Sequence, residues 1–325
     1  MLEFIRDDEG VWTLLAGLVA ALARRHPDVR FESPPDRVAA ERLLPAADVV
    51  YGVLVDEANF RLARRLRWIH VSSAGVGSLL FPALADSDVV LTNGRGLHAV
   101  SMAEHALGVM LAFARKLHLA RDLQQERRWQ QVGLWTGAPP FGQLAGATLG
   151  IVGFGAVGSA LAERAAALGL RVIAVRPHPA ADAAPAHAQW ALERLPELLG
   201  RVDWLVLAAP HTAATRGLIG AAELALMKPT AVLVNVGRGV LVDEPALIAA
   251  LSAGRIAGAA LDVVQEEPLP ATSPLWEMPN VILTPHVSGL GPDYWERAVE
   301  QFAANLGRFL AGQPLLNVVD KRAGY

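Results

Sequence analysis

The sequence predicts an α/β protein made of two successive doubly wound units. Three observations predict it. The chain has 325 residues, long for one domain and comfortable for two. Short apolar runs alternate with helical patterns along most of its length. A glycine-rich turn, Gly153-Phe-Gly-Ala-Val-Gly158, opens the second series of runs.

The first unit begins with a strand, Leu2–Arg6, and a helix containing the apolar run Val11–Ala23. That run is shorter than the ~20 residues that span a bilayer. It also follows Asp7-Asp8-Glu9, where a secretory signal would be positive, so it reads as a core-facing helix. Further strands are expected at Val29–Glu32, Asp48–Val55, Trp68–Val71 and Val89–Thr92. Asp48–Val55 is continuously apolar after its first residue, as in a strand buried on both faces. Between Ser101 and Trp129, the residues Leu107, Met110, Leu111 and Ala114 keep helical spacing, which predicts one or two long helices. Gln131–Gly146 carries Gly133, Gly137, Pro139, Pro140, Gly142 and Gly146 and reads as a loop or extended arm. Trp129 and Trp135 flank this arm. They pack in the core, meet a partner subunit, or reach over a neighbouring active site.

The second unit has strands expected at Thr148–Gly153, Arg171–Val175, Asp203–Ala208, Ala231–Val236, Ala257–Val263 and Val281–Leu283, with helical patterns between most of them. Six strands with such crossovers describe a Rossmann domain. A final helix, Tyr294–Ala311, ends at Gly312. The expected fold is therefore a Rossmann cofactor domain over 99–290. A smaller, discontinuous, flavodoxin-like α/β substrate domain is made of 1–98 and 291–325.

Composition narrows the function. Hydrophobic residues make up 53% and charged residues 19%, enough apolar material for packed cores. The net charge of −3 builds no field that would draw nucleic acid or an anionic membrane. Without cysteine there is no disulfide, thiolate metal site or thiol nucleophile, which fits a cytoplasmic protein. Histidines and acids do not cluster at metal-ligand spacing, so no metal is expected.

The turn after Thr148–Gly153 points to a dinucleotide. Gly153 allows the turn, Gly155 lets backbone approach a pyrophosphate, and Gly158 lets the following helix pack close to the sheet. Phe154, Ala156 and Val157 complete the turn, and the phosphates would sit at the helix N-terminus. Val157, Leu161, Ala165 and Leu168 are expected on one helix face. At the end of the next strand stands Arg176, 18 residues after Gly158, where an NAD enzyme would place an acid. A cation cannot accept the ribose hydroxyl's hydrogen bond, but a guanidinium pairs with a 2′-phosphate. NADP(H) is therefore expected over NAD(H). The alternative is a solvated Arg176 and use of both cofactors.

Three later segments follow in order: Val234-Asn-Val-Gly-Arg238-Gly-Val-Leu-Val-Asp-Glu, Leu261-Asp-Val-Val-Gln-Glu-Glu267-Pro, and Leu283-Thr-Pro-His286-Val-Ser-Gly289. Arg238 and Glu267 are 29 residues apart, and His286 follows 19 later. The ordered set resembles the D-isomer-specific 2-hydroxyacid dehydrogenase family, of the glyoxylate/hydroxypyruvate reductase type. The resemblance extends to Trp68–Gly77 and Leu91–Arg115.

The resemblance implies hydride transfer between a nicotinamide cofactor and a small 2-keto acid, with Arg238, Glu267 and His286 as the catalytic residues. The residue types suit those roles. Arg238 can bind a carboxylate with its neighbouring carbonyl and polarise the latter. Histidine is the natural proton donor near neutrality. Glu267 can hold the His286 imidazole and favour its charged form. Glu266 is adjacent, but the family pattern sets the acid directly before the proline. Glu267 argues against formate oxidation, because formate dehydrogenases carry glutamine there. Ala74 argues against phosphite oxidation, because phosphite dehydrogenases carry lysine there.

By the same resemblance, Asp262 would bind the nicotinamide carboxamide. Ala209, Pro210, Val236, Gly237 and Gly289 would line the cofactor, and the turn Ala74-Gly75-Val76 would hold the substrate carboxylate through its N–H groups. The site is expected in the cleft between the two domains, in a homodimer built on the helices near 101–129. His105 reads as structural, and His211 as a non-catalytic residue of the cofactor-side loop. Two other readings share these motifs. One is a nucleotide-sensing corepressor-like binding protein, which gains its function through partner surfaces. The other is a phosphoglycerate dehydrogenase, usually longer through a regulatory domain.

Overall fold

The computed structural model describes residues 1–5 and 13–324. Arg6, the acidic residues 7–9, and Val11 and Trp12 of the expected first helix lie outside the described residues. The chain divides into two compact units, Met1–Leu97 with Gly291–Tyr325, and His98–Leu290.

The first unit holds β1 (Leu2–Phe4), α1 (Ala16–Arg25), α2 (Arg37–Leu43), β2 (Val49–Gly52), β3 (Trp68–Val71), α3 (Pro82–Ala85) and β4 (Val90–Asn93). Its sheet is parallel, in the order β1-β2-β3-β4. The expected strand Val29–Glu32 is reduced to a single parallel bridge from Glu32 to Leu2. It would occupy an edge, and Pro27, Pro34 and Pro35 leave it no room to extend. Counting that bridge, the strand order is the flavodoxin-like one, with the first strand inside the second. The strand expected over 48–55 stops at Gly52, whose φ of +125° ends the extended run. A Cβ at Gly52 would lie 1.9 Å from the Phe4 carbonyl oxygen.

Alternation sorts this sheet's faces. Val50, Ile69 and Leu91 pack with Leu44, Leu54 and Leu84 on one side. Val49, Tyr51 and Trp68 pack on the other, under the C-terminal helix Tyr294–Leu310. Phe302 of that helix stacks on Tyr51 at 4.3 Å and on Trp68 at 5.0 Å.

Across this covered face runs a polar row. Glu3, Tyr51, His70 and Thr92 are successive register partners, all buried. Trp68 Nε1 donates to Thr92 Oγ1 at 2.8 Å, and that oxygen lies 2.7 Å from His70 Nδ1. Burial pushes His70 down from 6.5 to about 3. Between those values the unfolded chain binds the proton that the folded one refuses. Stability contributed by neutral His70 is therefore complete above pH 6.5 and is lost as pH falls toward 3. The slope is about 1.4 kcal/mol per pH unit. From pH 6.5 to 5, urea unfolding of the wild type should therefore lose about 2 kcal/mol more than that of His70→Phe. Equal losses in the two proteins would overturn this account.

The second unit opens with α4 (Ala99–Ala114), α5 (Leu117–Gln125) and α6 (Gln131–Thr136). Leu107, Met110 and Ala114 are buried as the spacing predicts, but Leu111 is exposed. The segment expected to be a loop contains α6, although residues 137–147 after it are irregular. The fully buried Lys116 caps α6, donating to the carbonyls of Leu134 (2.6 Å) and Gly137 (2.7 Å). Trp129 is 96% exposed and Trp135 75% exposed, which removes the core-packing alternative for both.

There follow β5 (Thr148–Val152), α7 (Ala156–Ala167), β6 (Arg171–Val175), β7 (Ala188–Trp190), α8 (Leu195–Leu199), β8 (Trp204–Leu207), α9 (Ala221–Leu226), β9 (Val232–Asn235), α10 (Glu244–Ser252), β10 (Gly258–Leu261) and β11 (Val281–Leu283). The C-terminal helix is α11. The sheet is parallel, in the order β11-β10-β9-β8-β5-β6-β7. Six of these strands were expected. The seventh, β7, is a half-buried three-residue edge strand with too little apolar pattern to register. On α7 the buried stripe is Gly158, Leu161, Ala162 and Ala165, facing Ala103, Ala106 and Met110 of α4. Leu168, expected on that stripe, is the C-cap and is exposed. Strand order reverses between β5 and β8, and in such sheets ligands bind beyond the strand ends at the reversal.

Candidate active site

At that reversal stands the β5–α7 turn. Gly153 has φ +95°, and a Cβ there would lie 2.5 Å from Ala209 N. A Cβ at Gly158 would lie 2.4 Å from the Gly153 carbonyl oxygen. Both positions therefore require glycine. Gly155 is different: it is exposed, and a Cβ there would meet nothing within 4 Å. It is the N-cap of α7 and carries no side-chain cap, so no side chain of the cap residue competes for the helix's first N–H groups. Ala156 is exposed, Val157 half-buried, and Phe154 turns into the core. The turn thus fits a dinucleotide pyrophosphate.

Arg176 follows β6. Its backbone N–H donates to the Trp190 carbonyl at 3.0 Å, which ties the turn to the edge strand. The side chain is half-buried and makes no ion pair among the described residues. Ala209, buried, and Pro210, exposed, follow β8. The Pro210 carbonyl accepts from Thr215 Oγ1 at 2.7 Å. His211 is exposed beside them.

Beyond β9 the backbone turns through Val236 and Gly237 to Arg238. Asn235 sets the turn, accepting from Gly237 N at 3.1 Å and donating to the Arg238 carbonyl at 2.9 Å. Gly237 lies against β8's end, where a Cβ would come 2.9 Å from the Ala209 carbonyl oxygen. Arg238 is half-buried. Its Nη1 donates to the Gly237 carbonyl at 2.7 Å, and its guanidinium pairs with no carboxylate among the described residues. At Gly239 a Cβ would overlap the Val264 carbonyl, at 1.8 Å from its oxygen, so this turn sits on the loop that carries Glu267.

His286 and Glu267 are brought together. His286 Nδ1 lies 2.7 Å from Glu267 Oε2, and Glu267 Oε1 accepts from Val264 N at 3.2 Å. Glu266 is exposed and forms no such pair. His286 has the left-handed backbone, φ 54°, which a non-glycine residue adopts only when its surroundings hold it there. Its N–H donates to the Asp262 carbonyl at 2.8 Å.

The holding is done largely by Asp262. Its carboxylate accepts from Thr284 Oγ1 (2.6 Å), Val287 N (3.0 Å) and Ser288 N (3.0 Å), and its side chain is 1% exposed. Burial opposes ionisation, but hydrogen bonds from Ser288, Thr284 and Val287 outweigh it and hold the carboxyl below its usual range. An acid assigned by sequence to the cofactor therefore also anchors the loop bearing His286 on both sides. His105 supports the same loop, with Nε2 3.2 Å from Thr284 Oγ1. Gly289 ends it, its carbonyl 3.0 Å from His98 Nδ1.

Asn235, Thr284, Ser288 and His98 escaped the sequence reading. Only Asn235, a polar residue ending a buried apolar strand just before a glycine, carried a signal that could have found it. Ala74, Gly75 and Val76 lie after β3 in the other unit, Ala74 and Gly75 exposed and Val76 buried. Among the described residues there is no cluster of three or more metal-ligating side chains and no helix long and apolar enough to cross a membrane.

Comparison with known proteins places the chain in a family. The family model described as D-isomer specific 2-hydroxyacid dehydrogenase, NAD binding domain, matches residues 107–288. A glyoxylate reductase of Aeropyrum pernix is 35% identical over 301 residues, 90% of this chain and 88% of that protein. The chain belongs to the D-isomer specific 2-hydroxyacid dehydrogenase family. The crystal structure of an NADPH-dependent glyoxylate/hydroxypyruvate reductase of Sinorhizobium meliloti, with NADP and sulfate, superposes with a TM-score of 0.83 at 28% identity, covering 100% of this chain and 99% of that one. A D-3-phosphoglycerate dehydrogenase of Methanocaldococcus jannaschii is 34% identical over 269 residues, 83% of this chain. The chain spans about half the length of that family member, 50% of which is matched.

Proposed function

We propose that this chain is an NAD(P)-dependent D-2-hydroxyacid dehydrogenase that reduces a small 2-keto acid of the glyoxylate or hydroxypyruvate type, with NADPH preferred. The observation that carries this reading is the His286–Glu267 pair at 2.7 Å, in which the carboxylate takes Nδ1 and leaves Nε2 without a partner among the described residues. An imidazole so held presents one proton in one direction.

Gly153, Gly155, Ala156, Val157 and Gly158 would hold the pyrophosphate. Phe154 would seat the turn in the core, and Ala209, Pro210, Val236, Gly237, Asp262 and Gly289 would line the rest of the cofactor. When bound, the nicotinamide supplies a hydride to the substrate's carbonyl carbon. Arg238 binds the carboxylate of the 2-keto acid and draws electron density toward the carbonyl oxygen. His286 Nε2 gives its proton to that oxygen as the negative charge develops, completing the hydroxyl group. Glu267 then faces a neutral ring, which reprotonates from water; in the reverse reaction the ring accepts the proton. A homodimer belongs to the same reading, with exposed Trp129, Val132 and Trp135 as its supporting face.

The test is a panel of 2-keto acids assayed with both cofactors, 3-phosphohydroxypyruvate included. Glyoxylate and hydroxypyruvate should lead in kcat/KM. NADPH should exceed NADH by about 10- to 100-fold, the value of one charge-assisted contact from Arg176. Arg176→Asp should reverse that ratio. A wild-type preference for NADH would refute the cofactor reading. Preference for the phosphorylated substrate would refute the substrate reading.

A further inference from the structure

The turn after β3 is held by its carbonyls. Four consecutive peptide oxygens each accept a hydrogen bond from the protein. Ser72 O accepts from Tyr294 Oη (3.2 Å), Ser73 O from Gly94 N (2.9 Å), Ala74 O from Asn93 Nδ2 (2.7 Å) and Gly75 O from Ser73 Oγ (3.0 Å). A trans peptide is planar, with its C=O and N–H pointing oppositely. Fixing the carbonyls of Ser73, Ala74 and Gly75 therefore fixes the N–H groups of Ala74, Gly75 and Val76, pointing away from those donors. These three N–H groups have no acceptor among the described residues.

We propose that Asn93 and Ser73 are positioning residues for a carboxylate-binding turn: they hold the Ala74 and Gly75 carbonyls so that successive N–H groups face an anion. The identity of the anion, the carboxylate of a 2-keto acid, rests on the proposed function. Asn93 is the stronger of the two, because it is almost fully buried and its other side-chain atom, Oδ1, accepts from Arg95 N at 3.3 Å. Its amide is therefore oriented from both ends.

The backing of this turn is equally specific. A Cβ at Gly94 would lie 1.8 Å from the Ser72 carbonyl oxygen, so the β4 turn can sit this close only with glycine there. From α11, Tyr294 reaches Ser72, Arg297 Nη1 reaches the Leu97 carbonyl (3.1 Å) and Gln301 Nε2 reaches the Arg95 carbonyl (3.0 Å). One helix thus braces both turns. A row of fixed peptide N–H groups is a known anion concavity, and fixing it beforehand removes the ordering cost from binding.

The test is calorimetric titration of oxalate, a stable dicarboxylate, into the full-length protein with NADPH present. Asn93→Ala should weaken oxalate about 10-fold and Ser73→Ala about 3-fold, magnitudes of a lost hydrogen-bonded orientation. Ser73→Thr, which keeps the hydroxyl, should bind like the wild type. NADPH affinity, titrated separately, should not change in any of the three. Unchanged oxalate affinity in both alanine variants would overturn the proposal. So would a parallel loss of NADPH affinity, which marks general damage rather than positioning. The expected oxalate pattern in a protein that reduces no 2-keto acid would support the turn's role and sink the proposed function instead.

Discussion

Replacing His286 with alanine is expected to lower kcat for 2-keto acid reduction by about 10²- to 10⁴-fold, the usual worth of a positioned general acid. NADPH binding should survive, because the turn at Gly153 and the ring at His286 are held by different contacts. His286 has φ 54°, and its N–H is fixed on the Asp262 carbonyl at 2.8 Å. Alanine pays nearly the same steric cost in that conformation, so the variant should lose the ring while the loop keeps its shape. Glu267→Gln is the informative companion. The amide still reaches Nδ1 but carries no charge, so an intermediate loss, with altered pH dependence of kcat/KM, is expected. Full activity in His286→Ala would remove the proton-donor role altogether.

What could be read from sequence divides along a physical line. β6 was legible to the residue, because an apolar run inside a parallel sheet has both faces buried and no competing pattern; β11, a half-buried edge strand, was legible because its three residues are all apolar. Glu267 was separable from Glu266 by the proline that follows it, and it is the one within 2.7 Å of His286. Short, half-exposed elements without such a run were not legible. β7 has three residues, and α6 lies among glycines and prolines that ordinarily break helices. α6 is capped by Lys116, a contact about twenty residues back along the chain that no local pattern encodes. The supporting polar residues fall in the same class. Thr284, Ser288 and Asn235 act through turns whose geometry exists only after the strands have paired. The anchoring of the His286 loop by Asp262 is likewise a property of four hydrogen-bonded groups, not of the Leu-Asp-Val triplet alone.

Arg238→Lys is expected to lower kcat/KM for the 2-keto acid by about 10²-fold or more, although the charge is kept. A forked guanidinium can engage a carboxylate and its neighbouring carbonyl together, whereas an ammonium offers point contacts. Loss of one charge-assisted hydrogen bond costs about 1.5–3 kcal/mol. The structure adds a reason why lysine cannot recover the geometry. Arg238 Nη1 is already spent on the Gly237 carbonyl at 2.7 Å, which braces the guanidinium against its own turn. Asn235 fixes that turn from the other side, through Gly237 N and the Arg238 carbonyl. A lysine that replaces the brace leaves the substrate unpaired, and one that reaches the substrate leaves the carbonyl unpaired. Both KM and kcat should therefore worsen, because the carboxylate is bound and the carbonyl polarised by the same group. Steady-state kinetics of Arg238→Lys beside Arg238→Gln separates the contributions. If geometry matters as much as charge, lysine falls much nearer to glutamine than to the wild type. Near-wild-type kinetics in the lysine variant would reduce Arg238 to a diffuse positive charge and remove the bidentate contact from the mechanism.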